Sequence, residues 1–546
     1  MPLTPLESFL KWEKEKADKI FLRQPINGIW KTWTYVQAGN EARRLVEVFY
    51  TLGLKEKDHV ALLSKNCAQW IISDIAMMMA GIVSIPIYPT LSAHAIEPIL
   101  IHSDAKAIII GKLDDYSSQV DGIPKTMLRI GMETYGIKEQ YDFEKLIEAN
   151  EPVSSTYNWH DDEIMTIIYT SGTTGKSKGV MHRVGAFVST FSAAAPALEL
   201  PREPELFSYL PLSHIAEKVG IEMNAILSGG TISFAESLET FSKNLSEIQP
   251  QIFFAVPRIW AKMREGILSK VSQGKLNLIL SIPIINSFFK KSLKKKMGFS
   301  RTSHFFSAAA PISIELQEWY DKLGIKIYQA YSMTEDCVYG HFCGPKANKF
   351  GTVGKPLPGV QVKFSNEGEI CVKSAGNTVG YYKESVMTAE TFDEEGYLKT
   401  GDLGEYDADG FLKITGRAKD QFKTDKGKYI SPAPIEVQLL SNTDIEHVCV
   451  VGTGVPQPIA LVCLSESGMK RSKADLINSL TQTFNSINPS LEKYERLEKA
   501  VIMKEHWTVS NNKITPSLKV KRNEIEKIHL PTYSIWYDKP GLVIWE

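Results

Sequence analysis

From about residue 58 to residue 112 the chain alternates short apolar runs with segments of helical length, and few architectures accept that pattern. The runs HVALLS, IVSIPIYP and AKAIII are apolar at consecutive positions, so both faces of each strand need cover, as in a parallel sheet buried on both sides. AQWIISDIAMMMAG, lying between two of them, is long enough for the crossover that parallel neighbours require. The pattern resumes at MTIIYT, TISFAE, QIFFAVP and IKIYQAY, the last of these following the helical SIELQEWYDKLG. The alternation predicts α/β architecture with parallel sheets.

At 546 residues the chain exceeds the roughly 250–300 at which single cores stop growing, so it divides. Between about 355 and 416 the texture becomes antiparallel: VQVKFSNEGEICVK and LGEYDADGFLKITG alternate in polarity around the turn signals NEG and DADG. A mixed α+β segment follows Arg417 and is large enough for a small domain. The boundary is set near Gly416 to Asp420, giving a large domain 1–418 and a small one 419–546.

A net charge of -1 and the lack of basic runs with interleaved aromatics argue against nucleic acid as a partner. The six cysteines form no C-x-x-C pair and read as reduced thiols, so a cytoplasmic location is expected. The N-terminus carries charges where a signal peptide needs a continuous apolar core. The longest apolar run, Leu276 to Phe289, contains Pro283 and is too short to span a bilayer. Lys290, Lys291, Lys294, Lys295 and Lys296 follow it, so residues 276–297 fit either peripheral contact with anionic lipid or a helical hairpin with a solvated basic face. The aromatic tail YSIWYDKPGLVIWE has two readings as well, a further anchor or packing on its own domain.

YTSGTTGKSKG, Tyr169 to Gly179, ends like a Walker loop, but the glycine that motif needs five residues before Gly175 is Thr170. It reads as a phosphate cradle of another kind. Downstream come YLPLSHIAE, FFAVPRIWAKM, SAAAP, AYSMTE, YLKTGD, GRAKDQFKTDKGKYISPAPIE and NNKITPSLKVKR. In type and order these resemble the adenylate-forming superfamily of acyl-CoA synthetases, adenylation domains and luciferases, and most of all its long-chain fatty acid–CoA ligases. The resemblance covers nearly the whole chain. It implies a large N-terminal domain that binds AMP and the acyl group, and a small mobile C-terminal domain. ATP, Mg²⁺, coenzyme A and a fatty acid are the implied reactants.

The resemblance also assigns roles. Thr170, Ser171, Gly172, Thr173, Thr174, Gly175 and Lys178 would hold the β- and γ-phosphates. Glu335, with Thr170, would hold Mg²⁺, a hard cation suited to oxygen ligands. Thr334 would contact the AMP phosphate, Tyr331 would lie against adenine, and Asp402 and Arg417 would take the ribose. Lys519 matches the mobile catalytic lysine, with Lys513 and Lys521 as competitors because the Gly-Lys of many relatives is missing. His214, Ala308 and Ala309 would border the acyl pocket, though His214 also reads as a structural histidine. Lys419 falls at the hinge and Gly427 in a loop that serves thioester formation. Ala308, Ala330, Ser332 and Ser177 depart from the usual glycines and proline, which bears on chain-length preference more than on the reaction. Two other readings stand beside the ligase: an acyl-AMP ligase that loads a carrier protein, and a silent lipid-binding scaffold.

Overall fold

The computed structural model describes residues 2–171, 177–515 and 518–546, and of Ser171 the backbone alone. Gly172, Thr173, Thr174 and Gly175 fall outside the described residues, as does the Ser171 side chain. The α/β expectation is met. His59–Leu63, Val83–Ile87 and Ala105–Ile110 pair in parallel within a seven-stranded sheet. Glu205–Ser208, Thr231–Phe234, Ile252–Phe254, His304–Ser307 and Ile327–Tyr331 do so within a nine-stranded one.

Helix Ala68–Ala80 packs against strands of both sheets, and every one of its residues is buried. A helix apolar on all sides needs cover on all sides. Its Ile71, Ile75 and Met79 share one core with Val60 and Ile109 of one sheet and Leu206 and Ile232 of the other. Gly81 closes the helix at φ 68°, the left-handed conformation a C-terminal glycine supplies without strain.

That helix also carries Asp74, whose carboxylate meets the Lys218 ammonium at 2.7 Å, while Lys218 reaches Glu222 at 3.3 Å. Burial opposes the charge of Asp74, but Lys218 outweighs it and holds the carboxyl below its usual range. Burial and the Asp74 charge push Glu222 far up, so one carboxylate balances one ammonium.

Nearby, His182 on strand Ser177–Arg183 is fully buried, and neither ring nitrogen has a partner among the described residues. Burial, reinforced by Lys218, lowers its pKa to about 3 from an ordinary 6.5. The unfolded chain therefore takes up a proton that the folded chain refuses. Stability from neutral His182 is full above pH 6.5 and is lost as pH falls toward 3. His182→Phe keeps a ring against Phe187 and is expected to lose less stability on acidification to about pH 4.5, the difference reaching roughly 3 kcal/mol at most. Denaturant unfolding at both pH values checks this; equal acid sensitivity of the two proteins would exonerate His182.

Gln361–Phe364, Glu369–Lys373, Leu398–Tyr406 and Leu412–Arg417 form the antiparallel section. Beyond Arg417, strands Ile445–Val451, Ile459–Leu464, Lys499–Ile502 and Val543–Trp545 build a separate four-stranded sheet with apolar cores on its two faces. The aromatic tail packs here, on its own domain. Tyr533 and Trp536 are buried, and Val543–Trp545 runs parallel to Lys499–Ile502. Lys499 fixes the approach by donating to the carbonyls of Lys539 and Gly541 at 2.7 and 2.8 Å. All six cysteines are free and buried. Among the described residues no helix is long and apolar enough to cross a membrane.

Candidate active site

The candidate residues leave the large sheets at corresponding ends. His214 follows strand Glu205–Ser208, Ala308 and Ala309 follow His304–Ser307, and Thr334 and Glu335 follow Ile327–Tyr331. Thr170 lies next to the last residue of Ile164–Ser171 in the other sheet. Open α/β sheets build their sites beyond the carboxyl ends of parallel strands.

Strands Ile164–Ser171 and Ser177–Arg183 are antiparallel, with Thr170 opposite Lys178 and Ser171 opposite Ser177. A Walker loop runs from a strand into a helix N-terminus. Here a strand follows, so the Gly-Lys-Ser order is not that motif. The Lys178 ammonium lies 5.0 Å from the ring centre of Tyr381, and the Tyr381 hydroxyl donates to Glu335 Oε1 at 2.8 Å. Burial, then the Glu335 charge, raises the Tyr381 pKa, which keeps the phenol a donor. Cation, ring and carboxylate thus form one chain of contacts between strand Ser177–Arg183 and the turn after Tyr331. Tyr381 carried no signal in the sequence.

That turn is itself held by a residue the sequence reading passed over. Asp336 is buried and accepts from the Met333 N–H at 3.1 Å; burial pushes its pKa up to about 8. Thr334 is half-buried beside it. Only Glu335, of the two adjacent acids, faces the Tyr381 hydroxyl.

Asp402 stands opposite Arg417 across two antiparallel strands. Arg417 Nε donates to Oδ1 at 2.9 Å, and the Tyr331 hydroxyl donates to Oδ2 at 2.8 Å. The Asp402 charge raises the Arg417 pKa against the opposing effect of burial, and burial with Asp402 pushes the Tyr331 phenol far up. Asp402 is therefore a strand residue with two side-chain donors, unlike a turn aspartate bonded to its own backbone.

The C-terminal unit contributes a lysine to this cleft. Crowding by protein, then the Arg417 charge, lowers the Lys519 pKa, while Asp402 and Glu335 act in the opposite sense. Lys519 remains solvent-exposed, so it stands at a mouth that is walled but not sealed. His214 feels the same ammonium: burial, then Lys519, lowers its pKa to about 4. His214 Nδ1 accepts from the Ala216 N–H at 3.1 Å, so this neutral ring caps a short helix and faces the cleft at once. The competing lysines are engaged elsewhere, Lys513 being buried in an ion pair with Glu505 and Lys521 donating to Asn512.

The lysine loop is braced. Lys519 N–H donates to the Thr515 hydroxyl at 3.0 Å, and the Thr515 N–H to the Lys519 carbonyl at 2.7 Å. Arg522 donates to the carboxylate of Glu436 and to the Val450 carbonyl. Leu518 sits at φ 63°, where glycine is the ordinary residue, so the missing glycine costs roughly 1–2 kcal/mol in backbone strain. A similar strain falls on Ala309 at φ 70°, one residue after the substitution singled out in the sequence.

Lys419 is exposed in the turn Ala418–Asp420 that joins the antiparallel section to the C-terminal unit. Gly427, at φ 76°, lies in the turn between Phe422–Lys423 and Tyr429–Ile430, where its N–H donates to the Thr424 carbonyl at 3.0 Å. The structure does not bring Gly427 into the cleft with Lys519. Arg258 of the large unit is ion-paired with Glu446, and Arg264 donates to the Ser441 carbonyl at 3.3 Å, so the C-terminal unit is gripped from the side of helix Pro257–Leu268.

Residues 9–382 match the family model described as AMP-binding enzyme, and 419–533 match that of the AMP-binding enzyme C-terminal domain. The long-chain-fatty-acid–CoA ligase FadD15 of Mycobacterium tuberculosis is 27% identical, with 96% of each chain covered. The long-chain-fatty-acid–CoA ligase ACSBG2 of Xenopus laevis is also 27% identical, over 99% of this chain and 84% of that one. Among solved structures, the adenylation domain of a carboxylate reductase from Mycobacterium chelonae matches with a TM-score of 0.82 at 20% identity, covering 98% of this chain and 91% of that one. The o-succinylbenzoate CoA synthetase of Bacillus subtilis, in complex with its acyl-adenylate, matches with a TM-score of 0.75 at 21% identity, covering 95% and 97%.

Proposed function

The chain belongs to the family of AMP-binding enzymes, and from that premise we propose that it joins a long-chain fatty acid to coenzyme A through an acyl-adenylate, turning ATP into AMP and pyrophosphate. The observation that carries this reading is geometric: Arg417 and Tyr331 both donate to Asp402, Glu335 lies on the turn after Tyr331, and Lys519 of the C-terminal unit is coupled in charge to Asp402, Arg417 and Glu335. The full-length similarity to long-chain fatty acid–CoA ligases supports the choice of acid and acceptor.

A carboxylate is a poor electrophile, so the first step activates it. One carboxylate oxygen attacks the α-phosphorus of ATP, the bond to the β-phosphate breaks, and pyrophosphate leaves. Such displacement needs charge neutralisation and alignment more than covalent help. Asp402 accepts from the ribose hydroxyls and Tyr331 flanks the adenine, fixing the nucleoside. Thr334 contacts the α-phosphate, and Lys519 places its ammonium where negative charge builds in the transition state. Thr170, Lys178 and the loop residues between them hold the departing phosphates. In the second step the thiol of coenzyme A attacks the acyl carbonyl, loses its proton, and displaces AMP. The domain 419–546 rotates about Lys419 between the steps, withdrawing Lys519 and presenting the Gly427 turn.

Glu335 is the protein ligand suited to magnesium. Among the described residues no three His, Cys, Asp or Glu side chains cluster as a metal cage. One carboxylate with substrate phosphates and water matches how this ion is usually held. Bound there, it would neutralise phosphate charge. Glu335→Ala is expected to raise the magnesium concentration for half-maximal adenylation about 10-fold or more, and to slow the step. Unchanged magnesium dependence would remove Glu335 from the metal site.

The reading is tested by supplying a panel of carboxylic acids with ATP and magnesium, offering either coenzyme A or a phosphopantetheinylated carrier protein. Long-chain acyl-CoA is the expected product. Thioester on the carrier alone would make the chain a loading ligase, and preference for short or aromatic acids would overturn the long-chain assignment.

A further inference from the structure

Pro283 splits the longest apolar run into helices Gln273–Ser281 and Pro283–Met297, which form a hairpin. The inner face of the second helix, Phe289, Leu293 and Met297, packs on the core around Trp260 and Phe299. Its outer face follows the spacing i, i+4, i+7, i+11 through Ile284, Phe288, Lys291 and Lys295. Ile284 is 86% exposed and Phe288 77%. Leu278, Ile282 and Ile285 widen the apolar tip, at 65%, 41% and 47%. Scattered exposed apolar residues are ordinary, whereas a contiguous patch marks an interaction site.

The charge carried by the segment itself has one sign. Between Glu265 and Glu315 the chain holds seven lysines, one arginine and no acidic residue, although its net charge is -1. Along the hairpin the apolar tip gives way to lysines on the same outer face. An apolar tip below a collar of cations matches the layering of a lipid surface, acyl chains beneath phosphate. A tip of five apolar side chains falls well short of the roughly 20–30 residues a side that a stable protein interface uses.

We propose that this hairpin tip docks the protein on an anionic lipid bilayer, inserting Ile284, Ile285 and Phe288 to the depth of the upper acyl chains while Lys291, Lys295 and Lys296 meet the phosphates. The inference stands on the hairpin alone and is independent of the acid that the enzyme activates.

The test is sedimentation of the full chain with vesicles of phosphatidylcholine, with and without phosphatidylglycerol. Binding is expected to require phosphatidylglycerol and to weaken with salt. The triple variant Lys291→Gln, Lys295→Gln, Lys296→Gln should lose about 100-fold in partition coefficient, three lysines at about 1 kcal/mol each. Phe288→Asp should abolish binding with every lysine in place. All changed residues are exposed or half-exposed, and circular dichroism should match the wild type. Equal binding to both vesicle types, or none to either, would overturn the proposal. So would a concentration-dependent dimer that Phe288→Asp dissociates, since a second copy would then cover the tip.

Discussion

Lys519→Ala is expected to slow acyl-adenylate formation by about 10²–10³, the effect of removing one preorganised charge donor aimed at a transition state. Lys519 shares the cleft with Asp402, Arg417 and Glu335, and the other two lysines of its segment are tied to Glu505 and Asn512. No neighbouring cation stands ready to replace it from this loop. Thioester formation from preformed acyl-adenylate and coenzyme A should be much less affected, because on the proposed account the domain has by then turned Lys519 away. A bulky residue at Gly427 should give the opposite profile, harming the second step and sparing the first. Its positive φ of 76° makes any side chain there strained as well. Lys419→Pro should impair overall turnover while sparing one half-reaction, since proline fixes φ where the hinge must move. Single-turnover kinetics of each half-reaction separate these profiles. Equal slowing of both steps by Lys519→Ala would refute the two-orientation account, and full activity would dismiss Lys519.

Asp402→Ala carries the second large effect. The carboxylate accepts from Arg417 and Tyr331, and the reading has it accept from both ribose hydroxyls as well. Two hydrogen bonds to a charged group, at about 1.5–3 kcal/mol each, correspond to a loss of about 10²–10⁴ in kcat/KM for ATP. The variant also strands Arg417 and Tyr331, so its thermal midpoint should drop. Arg417→Ala shares part of that structural loss and removes only the second ribose contact, so it should lose less in kcat/KM for ATP than Asp402→Ala. If both variants lose stability alike and neither loses more than a few-fold in kcat/KM for ATP, Asp402 is a strut between two strands and not a ribose ligand.

The parallel sheets were legible because strands covered on both faces must be largely apolar at consecutive positions, as VSIPI and AKAIII are, and the helix between such strands must be largely apolar around its whole circumference. Hairpins such as Leu398–Tyr406 with Leu412–Arg417 announced themselves through turn chemistry. What local pattern cannot encode is partnership across long separations. Tyr381 meets Glu335 from 46 residues away, and Asp74 meets Lys218 from 144, so neither pair leaves a periodic trace. Asp336 was hidden for another reason: next to Glu335 it looks like an equal candidate, and only burial separates the structural acid from the one that faces the cleft. The choice among Lys513, Lys519 and Lys521 likewise needed the fold of the loop. For the aromatic tail, composition alone gave no sign of the sheet it joins, since the parallel pairing of Val543–Trp545 is with Lys499–Ile502, a strand far earlier in the chain.

The central claim is that this cleft activates a long-chain carboxylate by reversible adenylation. Exchange of labelled pyrophosphate into ATP, measured with magnesium and without coenzyme A, tests it most directly. The account predicts exchange that depends on added long-chain fatty acid, falls by about 10²–10³ in Lys519→Ala, and gives way to acyl-CoA and AMP in equal amounts when coenzyme A is supplied. Absence of exchange with every acid tried, or exchange indifferent to the acid, would contradict it.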